Sequence, residues 1–149
     1  MEPIINTDDL SLLRLLPNDV ERARVNCALF WEMGISDDHL RGFLADDHNI
    51  LIVAEIKGQP IGQLIGYVQQ RWDVEKPMLF LFSIDVIESH RRQGIGSQLI
   101  RRFQQLGIET GCGSLYVITN ASNMPAMRMY EALGGTRTNT DDVMFVWEL

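Results

Sequence analysis

Seven consecutive residues, Arg91-Arg92-Gln93-Gly94-Ile95-Gly96-Ser97, combine the residue types that bind phosphate groups. The two glycines allow a sharp turn and leave no Cβ between backbone and ligand, so consecutive N–H groups can point at one anion. The two arginines supply guanidinium groups that pair with phosphate oxygens. Taken alone, the heptad is equally consistent with an ordinary turn at the start of a helix.

The elements around the heptad favour the phosphate interpretation. An apolar run ends at Val86, and apolar residues then recur at helical spacing at Ile95, Leu99, Ile100, Phe103 and Leu106. An anion bound at residues 94–97 would meet free backbone amides and the positive end of a helix dipole. The loop is not a Walker loop, because no Gly-Lys-Ser/Thr follows. It is not a dinucleotide-binding loop either, because the third glycine is missing.

The heptad also belongs to a longer pattern. Ile84-x-Val86 followed by His90-Arg91-Arg92-Gln93-Gly94-Ile95-Gly96 resembles the signature motif of the GNAT superfamily of N-acetyltransferases, which bind acetyl-coenzyme A (acetyl-CoA). A second motif of that superfamily follows as Asn123-x-x-Ala126-x-x-x-Tyr130-x-x-x-Gly134. The resemblance implies that acetyl-CoA is the cosubstrate. It implies cofactor contacts from Ile84, Val86, Arg91, Arg92, Gln93, Gly94, Ile95, Gly96, Ser97 and Asn123.

The resemblance implies an α/β fold of the α+β kind. In it, about four helices flank a mixed, mostly antiparallel central sheet of about six to seven strands. Hydrophobic patterns predict strands at Leu10–Leu15, Asn49–Ile56, Ile61–Gln69, Met78–Val86, Leu115–Thr119 and Val143–Leu149. Helices are predicted from Asn18 or Asp19 to Gly34, after Ser36, after Gly94 and after Asn123. We expect residues 1–149 to form a single domain.

Acetylation of an amine needs few protein groups, because the thioester is already an activated acyl donor. The resemblance implies that Tyr130 lies near the sulfur and protonates it as it leaves. It also implies that a backbone amide of the central strand, that of Val86, stabilises the developing oxyanion.

The catalytic base is less clear from the sequence. Asp85 is the nearest carboxylate and is the predicted base, with Ser83 projecting to the same side of the strand. Asp85 is equally consistent with a structural acid. Asp73 and Glu75 on the preceding loop are alternatives, and proton removal through water is a third interpretation.

Composition limits the partners. The net charge of −7 and the sequence pI near 4.8 argue against nucleic acid and mildly favour a small cationic amine, although solubility alone would explain them. Two cysteines, Cys27 and Cys112, lack metal or redox spacing, so no metal site is predicted and both are expected to be buried thiols of a cytoplasmic protein. Neither a signal peptide nor a membrane-spanning run is predicted.

Within the superfamily, the chain resembles the aminoglycoside 3-N-acetyltransferases. The shared features are Tyr67-Val68, the string from His90 to Ile95, and Tyr116-Val117 placed fourteen residues before Tyr130. Those enzymes carry an Asp where this chain has Ser83. Three hypotheses follow: an acetyltransferase for a small cationic amine, a protein N-terminal or lysine acetyltransferase, and a non-catalytic coenzyme A-binding module. The superfamily also suggests a homodimer.

Overall fold

The computed structural model describes residues 9–32, 34–138, 141 and 143–149. Among these residues lie five strands and four α-helices, in the order β1 (Leu10–Arg14), α1 (Val20–Phe30), α2 (Asp37–Ala45), β2 (Asn49–Ile56), β3 (Gln59–Gln69), β4 (Met78–Val86), α3 (Ile95–Glu109), β5 (Ser114–Val117) and α4 (Met124–Ala132). The chain divides into two compact units, with the boundary between Ile118 and Thr119. The expected single domain stays a prediction.

The sheet has the strand order β1-β2-β3-β4-β5. Strands β1 to β4 pair antiparallel with their neighbours, whereas β5 pairs parallel with β4. The predicted mixed, mostly antiparallel sheet is therefore confirmed, with five strands in the described residues rather than six or seven. A two-residue turn joins β2 to β3, and both its residues, Lys57 and Gly58, have positive φ (51° and 77°). Two left-handed residues give the turn a twist that matches the strands of a hairpin.

Helices cover both faces of the sheet. The α1–α2 face is packed by a core cluster of Leu15, Val20, Ala23, Leu40, Leu44, Leu51 and Val53, with Ile65 of β3 packed against it. The α3 face is packed by the apolar side of α3, whose buried residues include Ile95, Leu99, Ile100, Phe103 and Leu106. This side of α3 is the one that the helical spacing predicts.

A β-bulge in β4 decides which side chains face which helix. Gly66 of β3 lies opposite Leu81, and Ile65 lies opposite Ser83, so Phe82 is an extra residue without an opposite partner. Residues before and after a bulge change their alternation relative to the partner strand. Ser83 and Asp85 therefore share a face with their opposite residues Ile65 and Gln63, which is the α1–α2 face.

Three expectations about elements are corrected. Residues 143–149 form no strand, and their side chains are exposed, Val146 at 80% and Trp147 at 75%. A strand needs a neighbour to pair with, and a local apolar pattern does not supply one. Helix α1 ends at Phe30, before Gly34, because Trp31 adopts an extended conformation with φ −129° and ψ 120°. Strand β5 ends at Val117 and does not reach Thr119.

The cysteines also differ from expectation, since both Cys27 and Cys112 are only partly buried. Burial still raises the pKa of the Cys27 thiol. Across the part of the chain that the structure describes, no helix has the length and apolarity needed to cross a bilayer.

Candidate active site

The predicted phosphate loop contains two left-handed residues. Gly94, the N-cap of α3, has φ 80°, and Arg92 has φ 61°. Positive φ is uncommon for a residue with a Cβ and marks local strain that often accompanies a functional site. Alternation of left-handed and ordinary residues turns successive N–H groups towards one concave side. The loop therefore leads into the free amides of the first turn of α3, which suits an anion.

Hydrogen bonds fix this loop to the end of β4. Arg91 donates from Nε to the carbonyl oxygen of Val86 at 2.9 Å, and Gln93 donates from Nε2 to the carbonyl oxygen of Ser89 at 3.4 Å. The amide of Gln98 donates to the carbonyl oxygen of Gly94 at 3.0 Å and starts the helical ladder. Arg91 thus positions the loop through Nε. Its two Nη atoms belong to an exposed side chain.

Among the described residues of the first unit, no strand pairs with the second half of β4 on the side away from β3, and we call this its open edge. Strand β5 pairs with β4 only from Met78 to Leu81. Peptide groups of successive strand residues point to opposite edges. The amide of Ile87 donates towards β3, to the carbonyl oxygen of Ile61 at 2.9 Å. The peptide groups of Val86 and Ile84 therefore point away from β3, towards the edge that β5 leaves uncovered.

Asp85 lies beside this edge on the α1–α2 face. Its Oδ2 accepts a hydrogen bond from Ser83 Oγ at 3.0 Å, and both residues are partly buried. The carboxylate and the hydroxyl are thus brought together as the shared side of the strand predicts. Directly opposite Asp85 on β3 is Gln63, a buried residue whose Nε2 has no hydrogen-bond partner among the described residues.

The two alternative bases lie on the exposed loop between β3 and β4. Arg71 donates to Asp73 from Nε at 2.9 Å and from Nη2 to the second carboxylate oxygen. This pairing lowers the pKa of the Asp73 carboxyl, chiefly through the hydrogen bond from Arg71. A carboxylate with a lowered pKa is a weaker base, so Asp73 becomes a poor candidate. Glu75 is an exposed residue of the same loop.

Asn123 and Tyr130 lie in the second unit, on α4. The Oδ1 of Asn123 accepts a hydrogen bond from the amide of Ala126 at 3.4 Å, which confirms the predicted N-cap. The helix ends in a Schellman motif, in which Gly135 donates to the carbonyl oxygen of Tyr130 at 2.9 Å and Gly134 has φ 88°. Tyr130 is partly buried, and burial raises the pKa of its phenol. The phenol therefore remains a proton donor at neutral pH.

The structure thus brings together the predicted residues of the first unit, which are Ile84, Asp85, Val86 and the loop from Arg91 to Ser97. Gln63 and the aromatic side chains around Ser83 are not among the site residues predicted from the sequence. Gln63 leaves a weak trace in the sequence, as a polar residue inside an apolar strand.

Comparisons with known proteins agree with this geometry. The sequence profile of the "Acetyltransferase (GNAT) family" matches residues 18–135. The aminoglycoside N(6')-acetyltransferase type 1 of Serratia marcescens is 30% identical over 118 residues, which cover 72% of this chain and 79% of that protein. Other curated relatives are longer, and the matched regions cover 55% of their length.

Solved structures of similar fold include two aminoglycoside acetyltransferases. One, from an uncultured soil metagenomic sample and in complex with sisomicin, has a TM-score of 0.84 at 25% identity, covering 95% of this chain and 97% of that one. The other, AAC(6')-Iy in complex with CoA, has a TM-score of 0.74 at 25% identity and covers 93% and 94% of the two chains. The expected likeness to the 3-N enzymes is not confirmed, since the regiochemistry that these names give is 6'.

Proposed function

The chain belongs to the acetyltransferase (GNAT) family, and we propose that it transfers the acetyl group of acetyl-CoA to a primary amine of a small cationic acceptor by direct attack in a ternary complex. It is an N-acetyltransferase of the GNAT type, and acetyl-CoA is its cosubstrate. The acceptor and the site residues are the parts that we propose.

One observation carries the proposal: the open edge of β4 leads directly into a loop built for an anion. The carbonyl of Val86 accepts from Arg91, so the strand edge and the loop are tied together. Acetyl-CoA joins an extended arm that contains amides to a pyrophosphate. The peptide groups of Ile84 fit the amides, the N–H of Val86 is left for the acyl carbonyl, and the loop ending at Ser97 fits the pyrophosphate. The residues present therefore match the cosubstrate.

Each group has a defined task in the reaction. The thioester supplies the activated acyl group. The loop amides and Arg92 hold the pyrophosphate, and the amide of Val86 donates to the carbonyl oxygen as negative charge develops on it. The side chain of Asp85 takes the proton that the ammonium loses, because only a neutral amine attacks carbon.

The amine nitrogen forms a bond to the acetyl carbon and then loses its second proton, while the carbon–sulfur bond breaks. The sulfur takes up one proton to leave as a thiol, and the proton released by nitrogen restores the group that donated it. For Tyr130 we propose the role that its motif implies, donation of the phenolic proton to sulfur. Its raised pKa supports that role, because the phenol keeps its proton until strongly alkaline pH.

Several wider features are also proposed. An acidic chain with a net charge of −7 suits a small cationic amine and not a nucleic acid. We propose that the chain forms a single cytoplasmic domain that acts without nucleic acid or membrane. We also propose that two copies of the chain form a homodimer.

The test is thiol release from acetyl-CoA with purified protein and a panel of aminoglycosides, polyamines, arylalkylamines, amino acids and N-terminal peptides. Turnover with small amines supports the proposal. Turnover confined to peptides would reassign the chain to protein acetylation. Calorimetric binding of acetyl-CoA without thiol release for any amine would leave a coenzyme A-binding module.

A further inference from the structure

The α1–α2 face of β3, β4 and β5 carries a continuous group of aromatic rings beside Asp85. We define the aromatic floor as Tyr67, Phe80, Phe82 and Tyr116. The rings of Phe80 and Tyr116 stack at a centroid distance of 4.7 Å and an angle of 14°. Tyr67 stacks on Phe80 at 6.3 Å and 28°. Phe82 meets Tyr67 and Phe80 edge-on, at 5.9 Å and 6.1 Å.

The floor is held rigidly. Its far end is fixed by Tyr116, whose hydroxyl donates to Gln69 Oε1 at 2.8 Å across the intervening strand. On the α2 side, the ring of Phe43 meets Tyr67 edge-on at 6.1 Å. Rings locked by several neighbours lose little freedom when a ligand packs on them, which favours a binding surface.

The aromatic floor is also accessible to solvent at the bulge in β4. Phe82 is the extra residue of β4, and its side chain is 55% exposed. The ring of Phe82 is about half exposed to water, and the other three rings of the aromatic floor are partly buried. A flat apolar ligand would cover such a surface. Phe82 directly precedes Ser83, whose hydroxyl donates to Asp85.

Strands β3, β4 and β5 carry little charge. The sequence of β3, β4 and β5 contains one acidic residue, Asp85. An aminoglycoside carries several ammonium groups, and each of them needs a carboxylate or an equivalent acceptor when it loses water. A single carboxylate at the end of an aromatic surface complements one ammonium group on an apolar body. Aromatic faces add attraction for a nearby cation.

From these observations we propose that the acceptor is an arylalkylamine, whose ring lies on the aromatic floor and whose amino group lies at the Ser83–Asp85 pair. This inference rests on the proposed acetyltransferase function and specifies its substrate class. Phe82 is then a residue that determines specificity, because it is the ring that the ligand covers most directly.

The test compares matched amines in the thiol-release assay. Phenethylamine and n-hexylamine each carry one amine, and neamine represents the polycations. We expect kcat/KM for phenethylamine to exceed that for n-hexylamine by about 3- to 10-fold, the size of an aromatic pairing beyond area alone. The margin over neamine should be larger, because β3, β4 and β5 offer one carboxylate to its several ammonium groups.

Substitutions of Phe82 separate the contribution of the aromatic floor from general effects on folding and activity. Phe82→Leu keeps an apolar side chain and removes the ring, so it should abolish the preference for phenethylamine while n-hexylamine is still acetylated. Phe82→Tyr should keep the preference. The control is Trp72→Leu, because Trp72 is 100% exposed on the β3–β4 loop and so rests on no part of the floor. Thermal unfolding checks that each variant is folded.

Three results would overturn the inference. In the first, wild-type protein turns over neamine or n-hexylamine at least as well as phenethylamine, which leaves the acetyltransferase function intact. In the second, Phe82→Leu retains the aromatic preference. In the third, no amine releases thiol from a protein that binds acetyl-CoA, and then the proposed function fails as well.

Discussion

Substituting Gly94 with alanine tests whether the loop before α3 binds the cosubstrate through its backbone. Gly94 has φ 80°, and a Cβ built on it meets no atom within 4 Å. The substitution therefore adds backbone strain without a collision. An L-residue in the left-handed region costs about 1–2 kcal/mol. A loop that relaxes in the free protein avoids part of this strain. That part of the strain returns when the amides converge on a phosphate, and it weakens binding.

The expected result is an acetyl-CoA Kd raised by up to about 5- to 30-fold, the value reached when the free loop relieves all of the 1–2 kcal/mol by relaxing. The part of the strain that the free loop keeps lowers Tm instead, by up to about 2–8 °C for a domain of this size. Isothermal calorimetry measures the Kd, and differential scanning calorimetry measures Tm.

The matched control is Gly111→Ala. Gly111 has φ 79° and equally open space, but it follows the C-terminal end of α3. The Tm of this variant should fall by about the amount that the strain predicts. Its Kd for acetyl-CoA should equal that of the wild type. A Gly94→Ala protein whose Kd stays within about twofold of wild type and whose Tm is unchanged would refute the role of the loop backbone.

Four further outcomes are expected. Tyr130→Phe should lower kcat by about 10²- to 10⁴-fold and leave the acetyl-CoA Kd unchanged; if stopped-flow turnover is preserved, Tyr130 does not protonate the thiol. Asp85→Asn should lower kcat/KM at neutral pH by about 10²- to 10⁴-fold, and an unaltered kcat/KM excludes Asp85 as the base. Gly66→Ala should lower the free energy of unfolding by about 1–3 kcal/mol, because its Cβ would lie 2.3 Å from Phe103 Cζ. Gly42→Ala on α2, where the Cβ meets nothing within 4 Å, should instead be neutral or stabilising by up to about 1 kcal/mol in urea denaturation.

The elements that were predictable from sequence are those defined by local spacing. The buried side of α3 follows from a period of 3.6 residues, and the N-caps at Ser36 and Asn123 follow from residue type, as their hydrogen bonds confirm. The sharp turn at Gly94, which has φ 80°, was predictable because glycine readily adopts positive φ. In each case the deciding physical interaction acts within a few residues.

Features that depend on distant strands were not predictable in this way. The segment Val143–Leu149 has the composition of a strand, but pairing is decided by another part of the chain, and it forms no ladder. The bulge at Phe82 has no sequence signal, because it is an outcome of how β3 and β4 align. The aromatic floor was missed for the same reason, since its members come from three strands.

Strand β4 presents two kinds of chemical group, and they can change independently. Its edge offers peptide groups at Ile84 and Val86, which almost any side chain leaves in place. Its α1–α2 face offers the side chains of Phe82, Ser83 and Asp85, which define what packs there. Mutation can therefore exchange the side-chain surface while the backbone edge persists. A small library at positions 82 and 83 would consequently sample new acceptor preferences within a single strand, without change to Asp85 or to the loop that precedes α3.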